Sequence, residues 1–125
     1  MSILLDSDIV IEILRSRDQL VLSQWRALAS AGTLVLFSPV SAAEIWAGVR
    51  PNERGATSLF FSHLNCVPVE YKTGELAGEF LCQFSKSHNV MLGDALIAAT
   101  AILSQAALWT RNRKHYPMPE VTFHN

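Results

Sequence analysis

Residues 2–8 read Ser2-Ile3-Leu4-Leu5-Asp6-Ser7-Asp8, a short apolar run that ends abruptly in three polar residues. Such a run is the pattern of a strand buried in a sheet, and D-S-D at its C-terminal end delivers polar groups into a crevice. Helical spacing starts at once. Ile9, Val10, Ile13 and Leu14 fall on one face, with Ser7 or Asp8 available as the cap and Arg15 near the end. A strand feeding directly into a helix is the repeating unit of an α/β sheet.

The remaining chain repeats that unit. A helix over 18–31 with Leu20, Val21, Trp25, Leu28 and Ala29 inward stops at Gly32, and 33–37 is the second strand. Ser38 followed by Pro39 starts the next helix, because proline is preorganised for the first helical position. Pro51-Asn52 breaks it, and a helix over 53–64 follows, with Leu59, Phe60 and Leu64 as core candidates. A third strand spans 66–69. A helix over 73–88 then carries Leu76, Phe80, Leu81 and Phe84, with Gly74 and Gly78 weakening its start. Residues 90–101, V-M-L-G-D-A-L-I-A-A-T-A, form a helix running to about residue 105, apolar almost all round and therefore core, with Asp94 its only charge. A fourth strand over 107–110 precedes the basic run R-N-R-K-H-Y, and 121–123 is a candidate fifth, edge strand. Helical crossovers make the sheet mostly parallel.

A chain of 125 residues, 50% hydrophobic and 17% charged, is the size of one domain with a substantial core. Its formal net charge of −1 excludes the global basic field of a non-specific nucleic-acid binder, so polyanion binding has to be local. Cys66 and Cys82 sit in apolar sequence without C-x-x-C or Cys/His spacing, which argues against zinc and for reduced thiols in a cytoplasm. Acidic residues at positions 6 and 8, with no basic start or long apolar run, do not fit a secretory signal, and no segment approaches the length of a membrane span.

Ligands of open parallel sheets bind beyond the carboxyl ends of the strands. Asp6 follows the first strand, Glu44 lies in the second turn of the helix after the second, Asp94 opens a helix, and Asn112 follows the fourth strand. Each has an ordinary explanation. Asp6 is a fair turn former, Asp94 a fair cap, and Asp8 and Glu12 read as a capping residue and a solvated face. Ser41 offers Glu44 a capping box, but Pro39 puts Glu44 too far inside the helix for that, and an inward Glu needs a partner. Three acids gathered in an interior would repel one another unless protons or a cation intervened. An all-oxygen set without His or Cys favours Mg²⁺ or Mn²⁺ over zinc. Arg111, Arg113 and Lys114 read as a solvated loop or, beside such a site, as phosphate holders.

Asp6 in I-L-L-D-S-D, Glu44 in S-A-A-E-I, Asp94 in G-D-A-L-I-A-A-T-A and the run T-R-N-R-K-H-Y-P-M resemble the PIN domain, specifically the VapC-type ribonuclease toxins of prokaryotic toxin–antitoxin modules. The resemblance spans essentially the whole chain, and order and spacing together make it specific. It implies a single PIN-like domain over 1–125, with a small, mostly parallel sheet of four to five strands flanked by helices. It implies Asp6, Glu44 and Asp94 as catalytic, Mg²⁺- or Mn²⁺-binding acids, Asn112 as a further catalytic position and Ser7 as a supporting hydroxyl. RNA is then the substrate, with Arg111, Arg113 and Lys114 on its backbone. A VapB-like antitoxin, which inhibits the site, and a second copy of the chain are the implied partners, with Trp25, Trp46, Phe60 and Phe61 as surface candidates. One departure stands out. Where many members carry an Asp three residues beyond the Asn, this chain has His115, which leaves one or two metal ions open. A receiver domain would need a phosphoacceptor Asp at a central strand end, where this chain has Ser38 and Glu70. The rival of another class is a catalytically silent PIN-like module that serves only for pairing.

Overall fold

Strand β1 (Ser2–Leu5) runs through the middle of the sheet, and its side chains divide the core in two. Leu4 points to one face, with Leu36 and Leu108 of the neighbouring strands; Ile3 and Leu5 point to the other, with Val35, Ala107 and Trp109. This is the period-2 alternation of a strand buried on both sides. In the computed structural model, which describes residues 1–125, β2 (Leu34–Phe37), β3 (Asn65–Cys66) and β4 (Ala107–Trp109) complete a four-stranded sheet. Its order is β3-β2-β1-β4, and every pair is parallel.

Helices cover both faces. α1 (Ser7–Arg15), α2 (Gln19–Ser30), α3 (Pro39–Ala47) and α4 (Arg54–Ser62) connect β1 to β2 and β2 to β3, and they bury Ile9, Val10, Ile13, Val21 and Ile45 on one side. α5 (Tyr71–His88) and α6 (Leu92–Leu103) connect β3 to β4 and cover the other side with Phe80, Ile97 and a run of alanines. α6 is the core helix its composition indicates: Ala95 and every residue from Ile97 to Ala101 are buried. No helix is long and apolar enough to cross a membrane.

Several expectations need correction. The fifth strand over 121–123 is a single bridge between Leu108 and Phe123, flanked by Leu108 N–H donating to Thr122 O and His124 N–H to Leu108 O. The third strand shrinks to Asn65–Cys66, and Cys66 and Cys82 are free and exposed. Leu20, Ala29 and Leu59 are exposed; Leu22 takes the inward place on α2, and Thr57 the one on α4, which follows a one-turn 3-10 helix, Pro51–Glu53. Short amphipathic helices leave this choice between adjacent faces open until they are packed. Trp25, Phe60 and Phe61 are half-buried against the α1–α4 core, with Trp25–Phe60 centroids 5.7 Å apart, and half-buried Trp46 lies under the Arg54 guanidinium. Gly74 and Gly78 do not interrupt α5, which ends at Asn89 in the left-handed region (φ 53°), a conformation Asn tolerates.

Leu4, fully buried where β1 meets α6, tests this arrangement. Leu4→Ala is expected to cost about 2–5 kcal/mol, seen as a lower urea midpoint with unchanged slope.

Candidate active site

β1, β2 and β4 run in the same direction and pass the chain to Asp6, Ser38 and Thr110 respectively. The chain leaves β1 towards β2 on one side and returns through β4 on the other. The crevice between them is therefore a topological switch point, where a parallel sheet exposes loop ends and helix N-termini together.

Asp6 lies at its floor, only 9% exposed, and is no solvated turn. It occupies the N-cap of α1, the place expected of Ser7 or Asp8, and its Oδ1 accepts the Ser7 N–H at 2.8 Å. Its Oδ2 accepts two hydroxyls, Thr110 Oγ1 and Tyr116 Oη, both at 2.8 Å. Burial, then Asp6 beside it and the bond to Asp6, then Asp94 and Asp8, push the Tyr116 hydroxyl far above the ordinary phenol range, so it stays a donor. The same causes show that three carboxylates bear on one hydroxyl.

α3 starts as its Ser-Pro signal indicates: Ser38 Oγ accepts the Val40 N–H at 3.1 Å with Pro39 at the first helical position. Glu44 falls in the second turn, but the helix turns Ser41 and Ile45 to the core and leaves Glu44 exposed, not inward. Its carboxylate spans the mouth of the crevice. Ser7 Oγ donates to Oε1 at 2.7 Å, and Oε2 faces α6, 4.0 Å from where a Cβ on Gly93 would stand. Asp94, one residue on, is not the cap itself. It sits in the first turn and reaches back to the Met91 N–H at 3.2 Å through Oδ2, while Oδ1 lies 3.7 Å from His115 Nδ1.

Sequence reasoning missed Asp8. Its Oδ2 accepts the Arg111 N–H at 2.9 Å and Asn112 Nδ2 at 3.3 Å, so Asn112 meets this acid, and its Oδ1 is buried with no partner. Burial raises the Asp8 carboxyl above its ordinary range, and the Asp6 charge adds to the rise against the Arg111 hydrogen bond. Glu12 is likewise no solvated face: it is 7% exposed and paired with Arg17 at 2.8 Å and Arg111 at 3.2 Å. Arg111 also pairs with Asp18 at 2.9 Å, so its guanidinium is committed within the chain. Arg113 donates to His124 O and Asn125 Oδ1 and lies over the Phe123 ring. Lys114 is exposed and has neither an ion pair nor a hydrogen bond. The one available signal was the i, i+2 spacing of Asp6 and Asp8 at a strand–helix junction. Thr110 and Tyr116 lie in the T-R-N-R-K-H-Y-P-M run that carries the resemblance, but nothing in it marked their hydroxyls as donors to Asp6.

No three His, Cys, Asp or Glu side chains stand close enough to hold a metal ion as they lie. The expected ligands are joined through Ser7, Gly93 and the His115–Tyr116 segment rather than to one another. The donors still suit a hard divalent cation: they are all carboxylate oxygens, and the orphaned Asp8 Oδ1 beside Asp6 is a buried acceptor that lacks a positive partner.

The PIN domain profile matches residues 3–121. Ribonuclease VapC10 of Mycobacterium tuberculosis is 34% identical over 119 residues, which cover 94% of this chain and 88% of that protein. The chain belongs to the PIN-domain family, in its VapC branch. Ribonuclease VapC19 of the same organism is 35% identical over 92 residues, 73% of this chain and 74% of its own length. Among solved structures, VapBC2 from Rickettsia felis bound to a promoter DNA fragment superposes with a TM-score of 0.84 at 21% identity, covering 100% of this chain and 98% of that one. A toxin–antitoxin complex from Klebsiella pneumoniae gives 0.75 at 25% identity, covering 95% and 94%. Of the four to five strands that the resemblance implied, this VapC-like chain forms four, all parallel.

The Asp8 carboxyl gives a signed prediction. Its folded pKa lies above the unfolded value of 3.8, so the ionised form weighs against the fold at neutral pH. Asp8→Asn should raise the Tm of the metal-free protein at pH 7. The gain should fade as pH falls through the raised folded pKa and be gone below 3.8, where Asp8 is protonated in both states. Calorimetry across pH in EDTA reads it.

Proposed function

We propose that this chain is the ribonuclease toxin of a toxin–antitoxin pair and hydrolyses RNA phosphodiester bonds with the help of Mg²⁺ or Mn²⁺. The observation that carries the reading is the Glu44 carboxylate, stretched between Ser7, next to Asp6, and Gly93, next to Asp94, in a chain whose relatives are named ribonucleases.

Asp6 and Asp94 would hold the ion, with Glu44 at the mouth and Asp8 and Asn112 alongside. When bound, such an ion stabilises charge on a phosphoryl oxygen and makes a water more acidic. The rest falls to the chain. Glu44 Oε2 has no donor on it, unlike Oε1, and so is the oxygen positioned to orient an attacking water and take its proton. Ser7 keeps that carboxylate from swinging away. Asp94 is fixed by the Met91 N–H on a rigid, buried helix, which limits the motion of one ligand. Lys114, without an internal partner, is the basic side chain freest to meet the RNA backbone, whereas Arg111 and Arg113 shape the loop that presents it. Transfer RNA or ribosomal RNA is the expected substrate. Mapping cleaved ends across total RNA after brief expression identifies which.

The complexes of similar fold include VapBC assemblies, and we extend that kind of partner, a VapB-like antitoxin, to this chain. A groove between α1, α3 and α4, with Ile11, Leu14, Ile45, Val49 and Ala56 flanked by Arg15, Arg17, Asn52 and Glu53, leads to Glu44, so a segment with both an apolar and a charged face lying there would reach the site's mouth and block it. The reading includes a homodimer, measurable by sedimentation, and a cytoplasmic setting. The acids' lack of a ready-made chelating cluster favours the second reading, a silent binding module.

Asp94→Asn separates the two. The nuclease reading expects a folded protein with weakened Mn²⁺ binding and RNA cleavage reduced by at least about 100-fold, the low end for a step that general base and metal share. Wild-type cleavage should stop in EDTA. Undiminished, metal-dependent cleavage by the purified variant would sink the assignment.

A further inference from the structure

Tyr116 is 3% exposed, and its ring packs in the core cluster that holds Leu4 and Leu108. Phenylalanine would fill the same space, so the hydroxyl is the part of this residue that packing does not explain. A buried phenol needs a hydrogen-bond partner, and this one donates to Asp6 Oδ2 at 2.8 Å. Thr110 Oγ1 donates to the same oxygen at the same distance. An ionised carboxylate offers about two acceptor positions on each oxygen. Both on Oδ2 are taken by hydroxyls, and one on Oδ1 is taken by the Ser7 N–H. A single position on Oδ1 is left.

Resting on the reading above that Asp6 ligates a divalent cation, we propose that Tyr116, together with Thr110, confines Asp6 to one-oxygen ligation through Oδ1 and thereby selects Mg²⁺ or Mn²⁺ against Ca²⁺. The two kinds of ion ask different things of a carboxylate. Mg²⁺ requires near-octahedral geometry with short bonds, whereas Ca²⁺ takes more oxygens at longer distances and often engages both oxygens of one carboxylate. For Asp6 to offer both, Oδ2 would have to give up one of two buried hydroxyls, breaking a 2.8 Å hydrogen bond inside the protein. Donors to the non-ligating oxygen also hold the carboxylate plane in one orientation, as outer-shell partners of metal ligands commonly do. Tyr116 is a positioning residue here: it acts through Asp6 and touches neither ion nor substrate. The serial order of the chain supports the division of labour, because both hydroxyls arrive from the β4 side while the remaining Oδ1 position adjoins Ser7 and, through it, Glu44.

Calorimetric titration of the full-length, metal-free protein with MnCl₂ and separately with CaCl₂ tests this in the wild type, Tyr116→Phe and Thr110→Val. Tyr116→Phe should weaken Mn²⁺ binding by about 10-fold or more, the usual scale for losing an outer-shell partner, and should shrink the Mn²⁺/Ca²⁺ affinity ratio by a similar factor. Thr110→Val should move the ratio in the same direction, which keeps the idea testable if the tyrosine variant folds poorly. A merely structural hydroxyl lowers Tm and leaves the ratio alone. An unchanged ratio in both variants, with Mn²⁺ still bound by the wild type, overturns the role of Tyr116 and leaves the metal reading standing. A wild type that binds no Mn²⁺, or an Asp6→Asn variant that binds it as well as wild type, overturns the metal reading itself.

Discussion

A buried carboxylate with three donors on it holds this molecule's working edge together. Asp6 ends β1, caps α1, and draws in Thr110 from the end of β4 and Tyr116 from the segment beyond. A charge so little exposed is tolerated only when its hydrogen bonds are made, and removing any donor leaves an acceptor that water reaches poorly. The strand order follows from the same geometry. With β1 between β2 and β4, one carboxylate touches elements from both ends of the chain, and the crevice opens where those elements part.

A second set of charges braces the first. Glu12, turned into the protein from α1, is paired by Arg17 and Arg111, and Arg111 reaches on to Asp18 at the start of α2. Pairing of this kind adds little net stability where it is exposed, yet leaving Glu12 alone would strand a buried charge. Its effect on the site is geometric. With the guanidinium anchored, the Arg111 backbone N–H and the Asn112 side chain are held on Asp8, in the first turn of the helix that Asp6 caps.

Much of this was legible from local pattern. The abrupt D-S-D after an apolar run, Pro39 behind a capping serine and the alanine-rich helix around Asp94 all report short-range physics, and each element stands where that physics puts it. Of the three acids expected at one edge, Glu44 meets Ser7 beside Asp6 and faces Gly93 beside Asp94, but the three do not stand within chelating distance of one another. What local pattern could not report was partnership across the sheet. Asp8 and Glu12 look like surface residues of a short helix because Arg111 and Asn112, which hold Asp8, and Arg111, which joins nearby Arg17 on Glu12, come from beyond β4. The same blindness made Arg111 look free, turned Glu44 inward when its helix leaves it exposed, and hid the hydroxyls of Thr110 and Tyr116. Helix faces one residue apart were equally hard to separate, as Leu20 and Leu22 show.

Those separations also carry a timetable. Asp6 meets Thr110 and Tyr116 across 104 and 110 residues of chain, and β1 lacks its β4 neighbour until the last strand has been made. At the usual pace of synthesis, about 5–20 residues/s, the first acid therefore waits roughly 5–20 s for the groups that orient it. A growing chain can shape α1 to α4 against β1 and β2 during that interval, but its acidic edge stays unassembled. Its first carboxylate gains its full set of donors only after β4 and the segment beyond it have been made.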